Sequence, residues 1–520
     1  MPPLLIVHLI HCVTGGGATR SMVATAMHSA RSGFRHRIVS LLPAEQGGHR
    51  LVQEAGLALI DAPDRAALLA EIERGDIVQV HFWNNPELYA LLRTPLPAKR
   101  LLIWMHVAGE HAPQVLLPAL VEAATMVVAS SPYTLDLPVL RALPKSVKAE
   151  KVAMIWSAPD FSRLSGLVQR PHDRFNVGYI GTVSFVKMHP HFVRMSAGID
   201  VPDVRFIVCG GGRDLHTLQA QARTMGAGER FSWRGYVEDI RSVLAMLDVF
   251  GYPLCEDNYS TAELVVQEAM FAGVPPVLFA HGGAQRTVRH GETGLIVHSE
   301  AEYREAITYL YEHPEDRARL GATARAYALQ HYGAEKAAAQ FNLLYRKMAS
   351  QPAFGGTARV RPPLPPGPFS GAEAFVASLG DTAPQFSESL RSAAIETLWE
   401  AEKMIAAASA VLANPVGGGF RHYLSRYPTD GYLRLWSGLA HQHQGQNARA
   451  LLDFRKAIDG GCNHWRVWWY LARAAAAVQA RPLARQALDV VTSAAPGFEE
   501  ARRLHRRLLE EEAYLPPRKP

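Results

Sequence analysis

The 520-residue sequence is poor in cysteine, lacks any long apolar run and has no block of charge of one sign. Its four cysteines, Cys12, Cys209, Cys255 and Cys462, are scattered without paired spacing. That argues against a zinc site or a disulfide framework and makes a reducing cytoplasm the expected compartment. No stretch approaches the roughly 20 apolar residues of a membrane-spanning helix, so membrane association is expected to be peripheral at most. The apolar run LLIVHLI at 4–10 has no basic leader and runs into three glycines, so it reads as a first buried strand and not as a targeting segment. The 54 lysines and arginines barely exceed the 48 aspartates and glutamates. A net charge of +6 suits an anionic partner such as a nucleotide, a lipid phosphate or a membrane surface. Nucleic acid is not expected, because no basic block tracks a phosphate backbone.

What is present is a globular composition, 48% hydrophobic and 20% charged, in a chain long enough for roughly three domains. Short β-branched or leucine-rich runs alternate with helix-length segments: LLIVHL, then RIVSLL at 37–42, DIVQVHF at 76–82, RLLIWMH at 100–106, TMVVAS at 125–130 and KVAMIW at 151–156. The alternation restarts with FNVGYIG at 175–181, RFIVCGGG at 205–212, RFSWRG at 230–235, DVFGYPL at 248–254 and VPPVLFA at 274–280. Strands alternating with helices predict an α/β fold of two doubly wound parallel sheets, placed at 1–165 and at 172–349 with a closing helix. The proline- and glycine-rich stretch at 351–385 reads as a linker. From 386 to 513 every segment reads as helix, and Gly438 and Ala472, Ala450 and Ala484, and Phe454 and Leu488 each stand 34 residues apart. Helices at 386–413 and 499–512 are expected to cap the two repeats.

In open parallel sheets ligands bind beyond the carboxyl ends of the strands, so chemistry is sought in the loops there. The first such loop holds Gly15, Gly16 and Gly17, whose bare amides at a helix N-terminus favour anionic oxygens; a tight turn explains the same glycines. His81 and His106 each close a strand, where an imidazole can relay a proton or simply pack. VGYIGTVSFVKMHP at 177–190 puts Thr182 and Lys187 on a loop, and the ammonium can neutralise a diphosphate leaving group. NYSTAELVVQEAMFAGVPPV at 258–277 puts Glu268 on a helix running from the cleft, where one carboxylate can accept from both hydroxyls of a ribose. No dinucleotide G-x-G-x-x-G, Walker lysine or Asp-x-Asp motif at a strand end is found, so neither a cofactor nor a metal is expected.

Taken in order, the glycine-rich loop with Arg20, the VGYIG strand with Lys187, FIVCGGG, RFSWRG to VED, LVVQEAMFAGVPPV and GGAQRTVRHGETGLIV resemble the retaining GT-B glycosyltransferases of family four over about residues 1–349. The 34-residue period resembles tetratricopeptide repeats. The resemblance implies a sugar moved with retention from a nucleotide-diphosphate donor to a glycan, lipid-linked or protein acceptor, with the helical domain recruiting acceptor or partner. It would bring Gly16 and Gly17 to the diphosphate or acceptor, His106 to the acceptor side, Lys187 to the phosphates, Glu268 to the ribose, and the amides of Leu264 and Val265 to the donor. Two positions depart from the family. Its paired glutamates have seven residues between them, and the first falls on Ser260, so that its carboxylate is absent or replaced by Glu263 or Glu256; Thr182 stands where an arginine is frequent. These departures keep open a catalytically silent scaffold acting through the helical domain. A nucleotide-sugar epimerase on the same double fold is a third reading.

Overall fold

A computed structural model describes residues 3–353 and 367–513. The chain divides into two compact units, Met1–Trp83 with Glu87–Pro362, and Asn84–Pro86 with Pro363–Pro520.

Among the described residues the first unit contains two sheets. One is built from β1 (Leu5–Cys12), β2 (Arg35–Leu42), β3 (Ala58–Asp61), β4 (Ile77–Phe82), β5 (Arg100–Met105), β6 (Met126–Ala129) and β7 (Val152–Met154). The other is built from β8 (Asn176–Ile180), β9 (Arg205–Cys209), β10 (Phe231–Gly235), β11 (Val249–Tyr252), β12 (Pro276–Phe279) and β13 (Leu295–Val297). Every pairing is parallel, in the orders β3-β2-β1-β4-β5-β6-β7 and β10-β9-β8-β11-β12-β13. Strands such as β4 and β6 are buried along their whole length, as parallel strands covered on both faces require. Strand order reverses between β1 and β4 in one sheet and between β8 and β11 in the other, and each reversal opens a crevice beyond the carboxyl ends. This is the GT-B arrangement of two Rossmann-like lobes.

The closing helix Ala334–Ala349, expected with the second lobe, packs on the first. Ala337, Phe341, Tyr345 and Met348 share one apolar cluster with Ile6, Ile77, Leu102 and Trp104, and the rings of Trp104 and Phe341 lie 4.6 Å apart. Its apolar stripe finds its complement on the β1-β4-β5 face, so sequence order does not decide its lobe.

In the second unit the expected linker is too long. Ser370–Leu379 is a helix with Phe375 and Leu379 buried, and Pro384 opens another at Pro384–Arg391, in the first turn where a proline loses no hydrogen bond. The apolar residues of AEAFVASL outweigh the prolines upstream, and Phe375 packs its ring 5.0 Å from Phe386. Residues 354–366 of that stretch lie outside the described residues. Two helical hairpins follow, Gly431–His443 with Asn447–Asp459 and Trp465–Ala477 with Arg481–Ala494, and corresponding helices begin 34 residues apart. Gly438 sits where the first pair touches, since a Cβ there would lie 2.6 Å from the Phe454 ring. Ile395–Ala406 packs on the first hairpin and Glu499–Ala513 on the last helix of the second. Among the described residues no helix is long and apolar enough to cross a membrane.

Candidate active site

Two helix N-termini meet between the lobes. The helix Gly17–Ala30 starts from the loop after β1 with Gly16 as its N-cap and no side chain capping its amides. The helix Leu264–Phe271 starts at Glu263, again without a side-chain cap. A Cβ at Gly17 would stand 3.6 Å from the Leu264 side chain, an ordinary contact distance that sets the two helix starts side by side, while Gly15 and Gly16 face open space or only their own loop. The uncapped first turns, including the amides of Leu264 and Val265, give this place a positive electrostatic character.

Glu268 lies one turn further along the second helix and is buried. Arg163, from the short 3-10 turn Phe161–Leu164, approaches it at 3.6 Å. Burial pushes the carboxyl above its ordinary pKa, and Arg163 and Arg20 offset this only in part. Arg20 is fixed by a bond from its Nε to the Gly15 carbonyl and reaches the Tyr236 hydroxyl of the other lobe at 3.3 Å.

Lys187, expected to meet the donor phosphates, is ion-paired within the protein. Its Nζ lies 2.8 Å from Glu263 Oε2 and over the Tyr252 ring, whose hydroxyl also donates to Glu263, and the Ser260 hydroxyl donates to the other carboxylate oxygen. Burial alone would pull the ammonium down, but the charge of Glu263 holds it above the ordinary lysine value. Glu263 in turn stays below its ordinary value against its own burial because Lys187 faces it. The Ser260 hydroxyl therefore touches a carboxylate supplied from three residues along the chain. Thr182 is exposed, and its carbonyl accepts from the Tyr179 phenol. Gly210 and Gly212 serve packing: a Cβ at either would fall 1.8 and 2.1 Å from the carbonyls of Gly181 and Val183.

His106 follows β5 at the cleft edge, where the amide of Ala108 donates to the carbonyl of Tyr259 in the second lobe at 3.0 Å. Burial pulls its pKa down to about 3 and His11 adds to this, so the ring is neutral. His81 is fully buried and hydrogen-bonded to it at 2.8 Å. Elsewhere His189, His191 and Glu300 bring possible metal-ligand atoms within 4.8 Å of one another. The Arg194 guanidinium, 2.8 Å from both Glu300 oxygens, already supplies the cation there. Sequence reasoning missed Arg163, Tyr236 and Tyr252: Arg163 sits on a 3-10 turn and Tyr252 ends a strand outside any motif, while Tyr236 lies within the RFSWRG to VED block without being singled out.

Residues 165–327 match the family described as glycosyl transferases group 1. The match takes in most of the second lobe and less than half of the chain. Among relatives, the GDP-mannose-dependent alpha-(1-6)-phosphatidylinositol monomannoside mannosyltransferase of Mycolicibacterium smegmatis is 34% identical over 143 residues, which are 25% of this chain and 37% of that protein. Spore coat protein SA of Bacillus subtilis is 24% identical over 314 residues, 54% of this chain and 81% of that protein. The chain thus covers well under half of the mannosyltransferase. In fold it is similar to HepE of Anabaena, solved with UDP and glucose, with a TM-score of 0.56 at 17% identity, over 66% of this chain and 100% of that one.

Proposed function

We propose that the chain is a retaining glycosyltransferase that moves a sugar from a nucleotide-diphosphate donor to a protein, lipid-linked glycan or polysaccharide acceptor. It works in the cytoplasm, at most peripherally on a membrane, and its helical unit is a tetratricopeptide-like module that recruits the acceptor or a partner. The observation that carries this reading is the meeting of two uncapped helix N-termini, at Gly17 and Leu264, beside the buried carboxylate of Glu268. Such amides favour diphosphate oxygens, and the carboxylate suits ribose hydroxyls. Arg20 and Arg163 neutralise charge growing on the departing phosphate, so no metal ion is needed. The acceptor hydroxyl then attacks on the face the diphosphate leaves, without an enzyme nucleophile, and His106 lines its path. Glu263 stands in for the carboxylate that Ser260 lacks.

Turnover of a panel of nucleotide sugars tests this, beginning with UDP-glucose and GDP-mannose. At least one donor should be hydrolysed slowly, and Lys187→Ala and Glu268→Ala should each reduce that rate at least tenfold. The Lys187 to Glu263 ion pair favours a second reading, a silent scaffold, because the ammonium that would meet the phosphates is already engaged. Binding of no donor would select the scaffold. Removing residues 367–520 should leave donor hydrolysis intact and impair transfer to a macromolecular acceptor; loss of both would contradict recruitment.

A further inference from the structure

The first sheet carries four histidines in a row, of which the proposed transfer uses only the last. His36 is on β2, His8 on β1, His81 on β4 and His106 directly after β5, and these strands are consecutive neighbours in the sheet. The register advances two residues at each step, since His36 pairs with Ile6, His8 with Gln79 and His81 with Trp104. Side chains alternate along a strand, so all four rings lie on one face and climb diagonally to the carboxyl edge of β5. That face also holds Ile6, Phe34, Ile77 and Trp104 and is covered by Phe341 and Tyr345 of the closing helix.

Each neighbouring pair is hydrogen-bonded: His36 Nδ1 to His8 Nε2 at 2.8 Å, His8 Nδ1 to His81 Nε2 at 2.9 Å, and His81 Nδ1 to His106 Nε2 at 2.8 Å. Every link joins an Nδ1 to an Nε2 in the same direction. Because a neutral imidazole donates from one nitrogen and accepts at the other, the four tautomers are forced into one common sense. Burial holds all four neutral, His36 down to about 4, His106 down to about 3, and His8 and His81 well below the usual value. The ionisable groups facing the row are the histidines themselves, His11 beside His106, and Tyr345, whose ring lies 6.2 Å from that of His36. The row ends at His106 Nδ1 on the cleft side and at His36 Nε2 on the other, a buried nitrogen without a hydrogen-bond partner. A purely apolar layer would be filled more cheaply by leucine or valine, since a buried polar atom left unpaired costs about 1–3 kcal/mol.

We propose that His106, His81, His8 and His36 form a proton relay that takes up the acceptor hydroxyl's proton as the sugar bond forms and returns one to the cleft once the diphosphate has left. This rests on the sugar-transfer reading for the source of the proton. As the hydroxyl oxygen bonds to the sugar carbon, its O–H bond breaks and His106 Nδ1 takes the proton. The proton on His106 Nε2 passes to His81 Nδ1, that on His81 Nε2 to His8 Nδ1, and that on His8 Nε2 to His36 Nδ1, while His36 Nε2, enclosed in the resting structure, releases its own to water admitted at that end of the row, where His36 is 8% exposed. One proton enters, one leaves, and no charge stays in the sheet. The row resets when His106 Nδ1 gives its proton to the departing nucleoside diphosphate or to water and a solvent proton enters at His36. His106 is the catalytic residue; the other three act through it as positioning residues.

The test has two arms on the full chain. Nitrogen NMR of histidine-labelled protein should show one tautomeric sense along the row, and His36→Leu should shift the tautomer ratio of His106, three strands away. An unchanged His106 ratio in a folded variant overturns the relay, whether or not any donor is turned over. In the kinetic arm, His8→Gln keeps a hydrogen-bonding side chain but breaks the middle. It should lower kcat for donor hydrolysis about 100-fold with the donor KM within about twofold, and reduce a multi-proton solvent isotope inventory to a single proton. His36→Ala should lose kcat similarly and recover it with added imidazole, which a structural defect would not. Unchanged kcat and inventory in His8→Gln overturn the relay. A wild-type chain that turns over no donor contradicts the transfer reading, and the tautomer arm still decides for or against the relay.

Discussion

At Lys187 a single ion pair decides between a poised site and a closed one. Its ammonium, the Tyr252 hydroxyl and the Ser260 hydroxyl all converge on Glu263. Removing one side of a buried pair strands the other, so Glu263→Gln should cost up to about 3 kcal/mol, the low end for such pairs because both side chains keep some solvent contact. Denaturant unfolding checks this, and adding Lys187→Met to Glu263→Gln should recover part of the loss; additive losses would show that the two groups are not coupled. The places of Lys187 and Glu268 in the fold were legible in the sequence because each follows a strand or starts down a helix in a recognisable block. Glu263 was legible only as one of two candidates, with Glu256, because the choice depends on how Asn258 folds the loop, its Oδ1 accepting from the Ser260 amide and its Nδ2 donating to the Cys255 carbonyl. His8 and His36 gave no signal for a related reason: only strand register makes them neighbours of His81.

Among the elements, the long strands and the paired helices could be read from periodicity, whereas β3 and β13 could not. The segments Ala58–Asp61 and Leu295–Val297 are too short to show alternation, and they become strands because a neighbouring strand offers its edge. The helix at Ser370–Leu379 was hidden by the prolines before it. Gly438 gives an element-level test in which two effects have opposite signs. Helix propensity alone favours Gly438→Ala by about 1 kcal/mol. The new Cβ would stand 2.6 Å from the Phe454 ring, and overpacking of that kind costs about 1–3 kcal/mol. Thermal unfolding should therefore show Gly438→Ala to be destabilised, and a raised Tm would mean that the hairpin is looser than the structure describes.

For the whole molecule, the buried histidines make stability depend on pH. Their folded pKa values lie below the ordinary 6.5, with His36 at about 4 and His106 at about 3, so the unfolded chain binds more protons in acid. The stabilisation is full above about pH 7 and is lost as pH falls from about 6.5 toward 4 and below, by about 1.4 kcal/mol per pH unit for each such group. Thermal unfolding between pH 7.5 and 5 should show a falling Tm, with a shallower slope in His81→Leu; an equal slope would mean that His81 is not held neutral. The two-lobed architecture was readable from strand and helix alternation, but the placement of the closing helix on the first lobe was not, because chain order says nothing about which apolar face a stripe will cover. The most direct measurement is calorimetric titration of UDP-glucose and GDP-mannose into the full chain and into Glu268→Ala. Saturable binding of at least one donor at a single site is expected, weakened by about 1.5–3 kcal/mol, or tenfold and more, in Glu268→Ala. Equal affinity in the two proteins, or no binding of either donor, would contradict a nucleotide-sugar site at the meeting of the Gly17 and Leu264 helix ends.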